Sequence, residues 1–285
     1  MKKFLQYYQI FCNLSMDVII GIVCCMLPLP EVFHVIVPWS WYVLLPLSAW
    51  IIYLSDHLLD VKRKKISYPT PRHRFIRKYF KPIVFFIILL SVTDLGIAFL
   101  FFDQTIFITG IVLGIIVLVH FILVAINPQK KFILNNKELA IAFIYAAGIY
   151  AVPLQNSYHR HDEILVPVFC SVLFLLIVFL NLMLASIIEY EYDVKMENSS
   201  FVRVVSPENA YTIFLALTLV IIISGALLIL QSGAAIGYLV ICYQAMAIGH
   251  YLIYLYREKL EDYLAYRKLS ELLFWLPAIV YLIAR

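Results

Sequence analysis

Apolar runs long enough to cross a bilayer alternate with short polar links along nearly the whole chain. A spanning helix needs about 20 mostly apolar residues. Such stretches fall at roughly 13–30, 34–55, 82–102, 105–126, 138–154, 163–188, 210–230, 233–256 and 270–284. The pattern predicts an all-α, polytopic membrane protein, with nine transmembrane helices around a central cavity, as one membrane domain over residues 1–285. Pro82 opens the third stretch, where a missing N–H is harmless. Pro38 and Pro46 are expected to kink the second. After MKKF the first apolar run lacks a small-residue cleavage site, so it reads as a retained helix.

The polar links supply an orientation. With the N-terminus in the cytoplasm, twenty of the 22 Lys and Arg residues fall on that side, and only Arg160 and Arg285 lie outside. Such a bias is the positive-inside signature, and one missed helix would scramble it for every later link. It predicts an integral protein of the cell's inner membrane.

Composition agrees. Hydrophobic residues make up 64% of the chain and charged residues 14%, where a soluble domain carries about a quarter charged; the mean hydropathy is +0.91. Lys and Arg clustered between apolar segments mark a membrane face rather than a nucleic-acid surface, so no nucleic-acid partner is expected. Cys12, Cys24, Cys25, Cys170 and Cys242 all lie in apolar runs without metal-ligand spacing and read as small core residues.

One polar pattern occurs twice. SDHLLDVKRKK (Ser55 to Lys65) follows the second apolar stretch, and IIEYEYDVKME (Ile187 to Glu197) ends the sixth. At one constant offset Asp56 corresponds to Glu189, Asp60 to Asp193 and Lys62 to Lys195, and the tripeptide DVK recurs. The chain thus reads as two related four-helix units and an extra helix, an internal repeat with its motifs at 55–65 and 187–197 and both copies on one face. Repeats meeting around a central site are common in membrane proteins.

Residues four apart on a helix share a face, so Asp56 pairs with Asp60 and Glu189 with Asp193. Carboxylates are disfavoured at a helix C-terminus, and four of them converging would repel one another. A cation would compensate. Magnesium takes oxygen ligands, keeps several waters and bridges one or two carboxylates to phosphate oxygens. The bland alternative is two solvated helix ends with ordinary loop acids.

In these motifs and in its topology the chain resembles the UbiA superfamily of intramembrane prenyltransferases. The resemblance covers the whole chain in topology and about two dozen residues in motif. Members have nine transmembrane helices, and two acidic motifs, NDxxDxxxD and DxxxD, follow helices two and six. The resemblance implies Mg²⁺ and an isoprenoid diphosphate substrate, with Asp56, Asp60, Glu189 and Asp193 as metal-binding catalytic carboxylates. The sequence departs from the family at Ile52 and Ala185, where asparagines would stand, and at Glu189, where the family has Asp. If Asp56 instead takes the asparagine position, Lys64 replaces the last carboxylate.

Basic residues fit the same expectation. Arg72 and Arg74 lie in SYPTPRHRFIRK, and Lys62, Lys195 and Arg203 follow the acidic motifs. Arginine offers a planar fork of donors to phosphate oxygens; the bland reading is positive-inside charge or attraction to anionic lipid. Asn13, Asp17, Tyr145 and Asn181 are candidate pocket residues. His120 and His250 are weaker candidates, and Asp94 lies deep in the third stretch without an evident partner. An intramembrane ionisable group is a functional hypothesis by default. Aromatic walls, with 20 Tyr and 20 Phe available, would shelter a carbocation by about 0.5–2 kcal/mol per ring.

Three functions remain open. An ionised isoprenoid chain can cyclise on itself, making the protein a terpene cyclase. It can be captured by an aromatic or lipid acceptor, making it a prenyltransferase. The motifs can instead belong to a non-catalytic transporter or lipid-binding scaffold. Membrane lipid is the expected surrounding partner. Oligomeric state, chain length and product are not encoded legibly.

Overall fold

The computed structural model describes the backbone of residues 2–63, 71–101, 103–126, 137–157, 164–195, 200–260 and 265–284, and the side chains of these stretches except 2–6, 62–63, 123–126 and 284. The elements are α1 (Lys2–Asn13), α2 (Met16–Met26), α3 (Leu29–Phe33), α4 (Trp41–Arg63), α5 (Pro71–Lys78), α6 (Phe80–Leu100), α7 (Gln104–Ile126), α8 (Lys137–Ser157), α9 (Leu165–Ile188), α10 (Tyr190–Lys195), α11 (Phe201–Val205), α12 (Pro207–Gln231), α13 (Ala234–Leu255), α14 (Ala265–Leu273) and α15 (Pro277–Ala284). Helix is what such a sequence must form in lipid, where a backbone N–H or C=O has no water to bond.

Among the described residues, eight segments are long and apolar enough to cross a membrane, from Met16–Phe33 through Ala234–Leu255. The ninth predicted span, at 270–284, is not among them, being divided between two shorter helices. α14 ends at Leu273 and α15 begins at Pro277. Proline lacks the N–H for the helical ladder, and its ring clashes with the carbonyl four residues back, here that of Leu273. The break is packed: Phe274 is buried, and its carbonyl accepts from Cys25 Sγ at 3.3 Å.

α9 is one of the two most buried spans. In its apolar window 56% of residues are buried, against 6% in α7 and 11% in α6, so α6 and α7 are the outer, lipid-type helices. α9 packs against α8, α12 and α13, while α14 and α15 lie against α2 and α13. Tyr150, Phe174, Tyr243 and Phe274 fill the middle of this half. Aromatic side chains thus fill this half of the bundle. A second core joins α4, α5 and α6 through Leu54, Leu58, Ile76, Ile83 and Leu90. All five cysteines are unpaired, with Cys12, Cys25 and Cys170 buried, as a small-core role requires.

Candidate functional site: an apolar cavity beside a buried polar cluster

A cavity lies between α2, α4, α7 and α8. It encloses about 260 Å³ and is lined on α4 from Trp41 to Asp56, on α7 from Ile106 to Phe121, and by Tyr145, Gly148 and Ile149 of α8. Fifteen residues of rise make it about 22 Å long. Its walls are aliphatic and aromatic. The polar side chains that reach it are Ser48, Tyr53, Asp56, Thr109, His120 and Tyr145.

A polar cluster adjoins one end. It forms because α1 and α2 meet at Ser15, whose φ of 58° is left-handed, an uncommon conformation for a side-chain-bearing residue. That corner is fastened to α4. Trp50 Nε1 donates to the Leu14 carbonyl at 2.8 Å, and Ser15 Oγ lies 3.0 Å from His57 Nε2. Arg72, on α5, donates to the Cys12 carbonyl at 3.3 Å and lies 3.4 Å from the same His57 nitrogen. On the other side of the cluster stands α14. Arg267 grips Glu189 with two bonds, Nε to Oε1 and Nη2 to Oε2, both 2.6 Å, and the Tyr266 hydroxyl donates to Glu189 Oε1. Asn181 Nδ2 donates to Glu271 Oε1 at 3.4 Å.

These groups form one field. His57 is within electrostatic reach of both Arg72 and Arg267. Glu271 feels Asp17, Arg267 and Arg72. Tyr53, which lines the cavity, feels Glu271, Asp56, Arg72 and Asp17. The ends of α4 and α9, 133 residues apart at the matched motif positions, therefore sit on the same end of the bundle and share a charge environment.

The predicted carboxylates divide. Asp56 is exposed at the cavity end and Asp60 is half-buried one turn on. Glu189 and Asp193 meet different elements, because α9 stops at Ile188 and Glu189 takes φ −89°, ψ 7° before α10 begins. Glu189 is engaged by α14, while Asp193 is buried within reach of Glu138 on α8. Glu138 in turn accepts from the Phe201 N–H at 3.0 Å. Burial alone would raise the Glu189 carboxyl. Arg267 and the Tyr266 hydroxyl outweigh it and hold the group below the ordinary carboxylate value. A depressed carboxyl contributes stability above its unfolded value, lost as pH falls through the folded one. Acidification below the ordinary carboxylate range should therefore destabilise the wild type more than Glu189→Gln, measured by thermal unfolding in detergent across a pH series.

The basic candidates divide too. Arg72 belongs to the cluster. Arg74 is exposed on α5, and Arg203 is half-buried on α11. Lys195 is exposed and pairs with Glu191 at 3.8 Å, a surface contact of little worth. The side chain of Lys62 lies outside the described residues, as do 64–65 and 196–197 of the two motifs. Of the pocket candidates, Tyr145 lines the cavity. Asn13 and Asp17 are buried at the α1–α2 corner, and Asn181 beside Glu271. His250 is buried, with Nδ1 2.7 Å from the Met246 carbonyl of its own helix.

Tyr266, Arg267 and Glu271 were not singled out from sequence. Arg267 counted there only as one more positive-inside charge. Its spacing of four from Glu271 was the available signal. His57 lay unnoticed inside the first motif.

The donor set tests the metal. Among the described residues no three His, Cys, Asp or Glu side chains stand together as a metal site, and Glu189 is already neutralised by Arg267. A four-carboxylate centre does not fit this arrangement. Asp56 and Asp60 alone supply the one or two carboxylate oxygens with which Mg²⁺ ordinarily bridges to phosphate.

Asp94, on α6, accepts a 2.7 Å hydrogen bond from Ser48 Oγ. Its Oδ1 is buried with no hydrogen-bond partner among the described residues. An Asp at the centre of a spanning helix costs about 2.5–3.5 kcal/mol. Interhelical hydrogen bonds in a membrane contribute about 0.6 kcal/mol on average and at most about 1.7. The bond to Ser48 does not offset Asp94, so helix adhesion alone does not account for it.

Compared with protein-family models, curated proteins and solved structures, the chain matches none.

Proposed function

We propose that this chain is an intramembrane enzyme that ionises an isoprenoid diphosphate and lets the carbocation cyclise, as a terpene cyclase of UbiA type. The observation that carries the reading is the junction at Tyr53 and Asp56. There a slot lined by aliphatic and aromatic side chains, about 22 Å long, ends against a half-buried cluster containing Arg72, Arg267 and His57. The long apolar slot suits a hydrocarbon chain, and Arg72 near its end, with a cation held at Asp56 and Asp60, suits an anionic head.

Arg72 presents its guanidinium to the diphosphate oxygens, offsetting charge that grows on the leaving group. Preorganised charge of this kind is usually the largest catalytic contribution. Mg²⁺, held at Asp56 and Asp60, would supply further neutralisation of the diphosphate. The aliphatic walls exclude water, which would otherwise quench the cation. Trp41, Tyr53, Phe121 and Tyr145 line the cavity, and a ring face turned to the cation would be worth about 0.5–2 kcal/mol. The basic end of the bundle faces the cytoplasm in this reading, in the inner membrane.

The test gives purified protein Mg²⁺ and ten-, fifteen- and twenty-carbon isoprenoid diphosphates without an acceptor. Diphosphate release with a cyclic hydrocarbon or alcohol is the expected result. Turnover only after a phenolic acid or membrane quinone precursor is added moves the assignment to prenyl transfer. No turnover with either overturns the enzymatic reading and leaves the scaffold.

The slot itself predicts a length effect. Gly110 and Gly114 line the cavity, and a Cβ added at either meets no atom within 4 Å, so a larger side chain there narrows the slot without displacing backbone in this reading. Gly114→Leu should lower turnover of the longest chain accepted by about tenfold or more relative to the shortest. Competition between the three diphosphates in one reaction reads this directly.

A further inference from the structure

Ser48 stands eight residues before Asp56 on α4, which puts it about 12 Å further along the cavity. Its hydroxyl proton is committed to Asp94 Oδ2 at 2.7 Å, while the side chain also lines the cavity. Of the pair, Ser48 lines the cavity and Asp94 stands behind it, its Oδ1 buried with no hydrogen-bond partner among the described residues. A Ser–carboxylate pair in this arrangement is a proton acceptor. Its hydroxyl can take a proton from the cavity side while passing its own to the carboxylate, as positioned acid–base groups do.

Resting on the cyclisation reading above, we infer that Ser48, backed by Asp94, accepts the proton that ends the reaction partway down the cavity. The positive charge starts at the diphosphate end, beside Asp56. Ring closure by the chain's own double bonds carries it away from that end. A C–H bond next to the final cationic carbon then breaks. Its electron pair becomes the new C=C bond, and its proton goes to Ser48 Oγ as the Ser48 proton moves to Asp94. Asp94 returns that proton to water when product leaves. No oxidant or reductant is needed, and diphosphate is the only leaving group. A distal acceptor also separates the two readings of the site. An attacking nucleophile must meet the first carbon beside the diphosphate, about 12 Å away by the same helical rise, and Ser48 is too distant to activate it.

Ser48 would touch the substrate, and Asp94 acts through it as a positioning residue. The experiment compares wild type, Ser48→Ala, Asp94→Asn and Asp94→Glu in detergent. Diphosphate release and the product spectrum are recorded on the same samples, with thermal unfolding as a check on folding. Diphosphate release should continue in folded Ser48→Ala and Asp94→Asn, because ionisation occurs at the other end, and the ratio of main olefin to diphosphate released is the quantity compared. Per diphosphate released, the main olefin should fall by about tenfold or more in both, replaced by water-quenched alcohols or other olefins; this is less than the 10²–10⁴-fold typical of a lost acid–base group, because other acceptors quench the cation. Asp94→Glu should restore part of it. An unchanged product spectrum in folded Ser48→Ala and Asp94→Asn overturns the assignment while leaving the enzyme reading standing. No diphosphate release by wild type overturns both.

Discussion

Arg72→Ala is expected to lower diphosphate release by about 10²-fold, with Arg72→Lys recovering only part of it. Removing one preorganised donor at a developing anion costs about 10²–10³ in rate. A lysine restores the charge but not the two-pronged geometry. Arg72 also ties the Cys12 carbonyl and His57 into the α1–α2 corner, so the alanine variant must first show a thermal transition near that of wild type. Asp56→Asn should fall by a similar factor and respond weakly to Mg²⁺ concentration. Lys195→Ala should stay within about twofold, because that side chain is 66% exposed and faces Glu191. Steady-state release assays on the four variants check the set. Loss of activity in Lys195→Ala equal to that in Arg72→Ala would mean that the anion is bound by the outer loops.

The second large effect concerns stability. Truncating one partner of a buried ion pair costs about 3–5 kcal/mol. The Glu189 side chain is 20% exposed and Arg267 35%, so solvent relieves part of the charge left behind. Arg267→Ala and Glu189→Ala should each cost about 2–3 kcal/mol by the same reasoning. Replacing both by methionine should cost less than either single truncation, because an apolar pair leaves no uncompensated charge. A double-mutant cycle by chemical unfolding in detergent measures the coupling. If the two single losses simply add, the bridge contributes nothing as a pair and Glu189 is available to a cation after all.

That bridge shows why some of the site was readable and some was not. Asp56, Asp60, Glu189 and Asp193 could be found because carboxylates at the ends of apolar segments are costly, and costly residues stand out against such a background. Their division of labour could not be found. It depends on the helix break at Glu189 and on the approach of α14, made close at Gly249, where an added Cβ would lie 2.7 Å from Leu273 Cδ2. Arg267 was hidden by its own chemistry. A basic residue beside a membrane has an ordinary reason to be there, so nothing marked it as the partner of an acid 78 positions away.

The order of the apolar segments, the helical class and the two acidic ends followed from the sequence alone, because lipid admits little besides helix and makes every buried charge conspicuous. Only the tertiary structure decided that the last segment is divided before Pro277, that a cavity is walled by α2, α4, α7 and α8, and that Asp94 meets Ser48. Those are matters of which side chains touch across helices, and hydrophobic periodicity carries no record of partners.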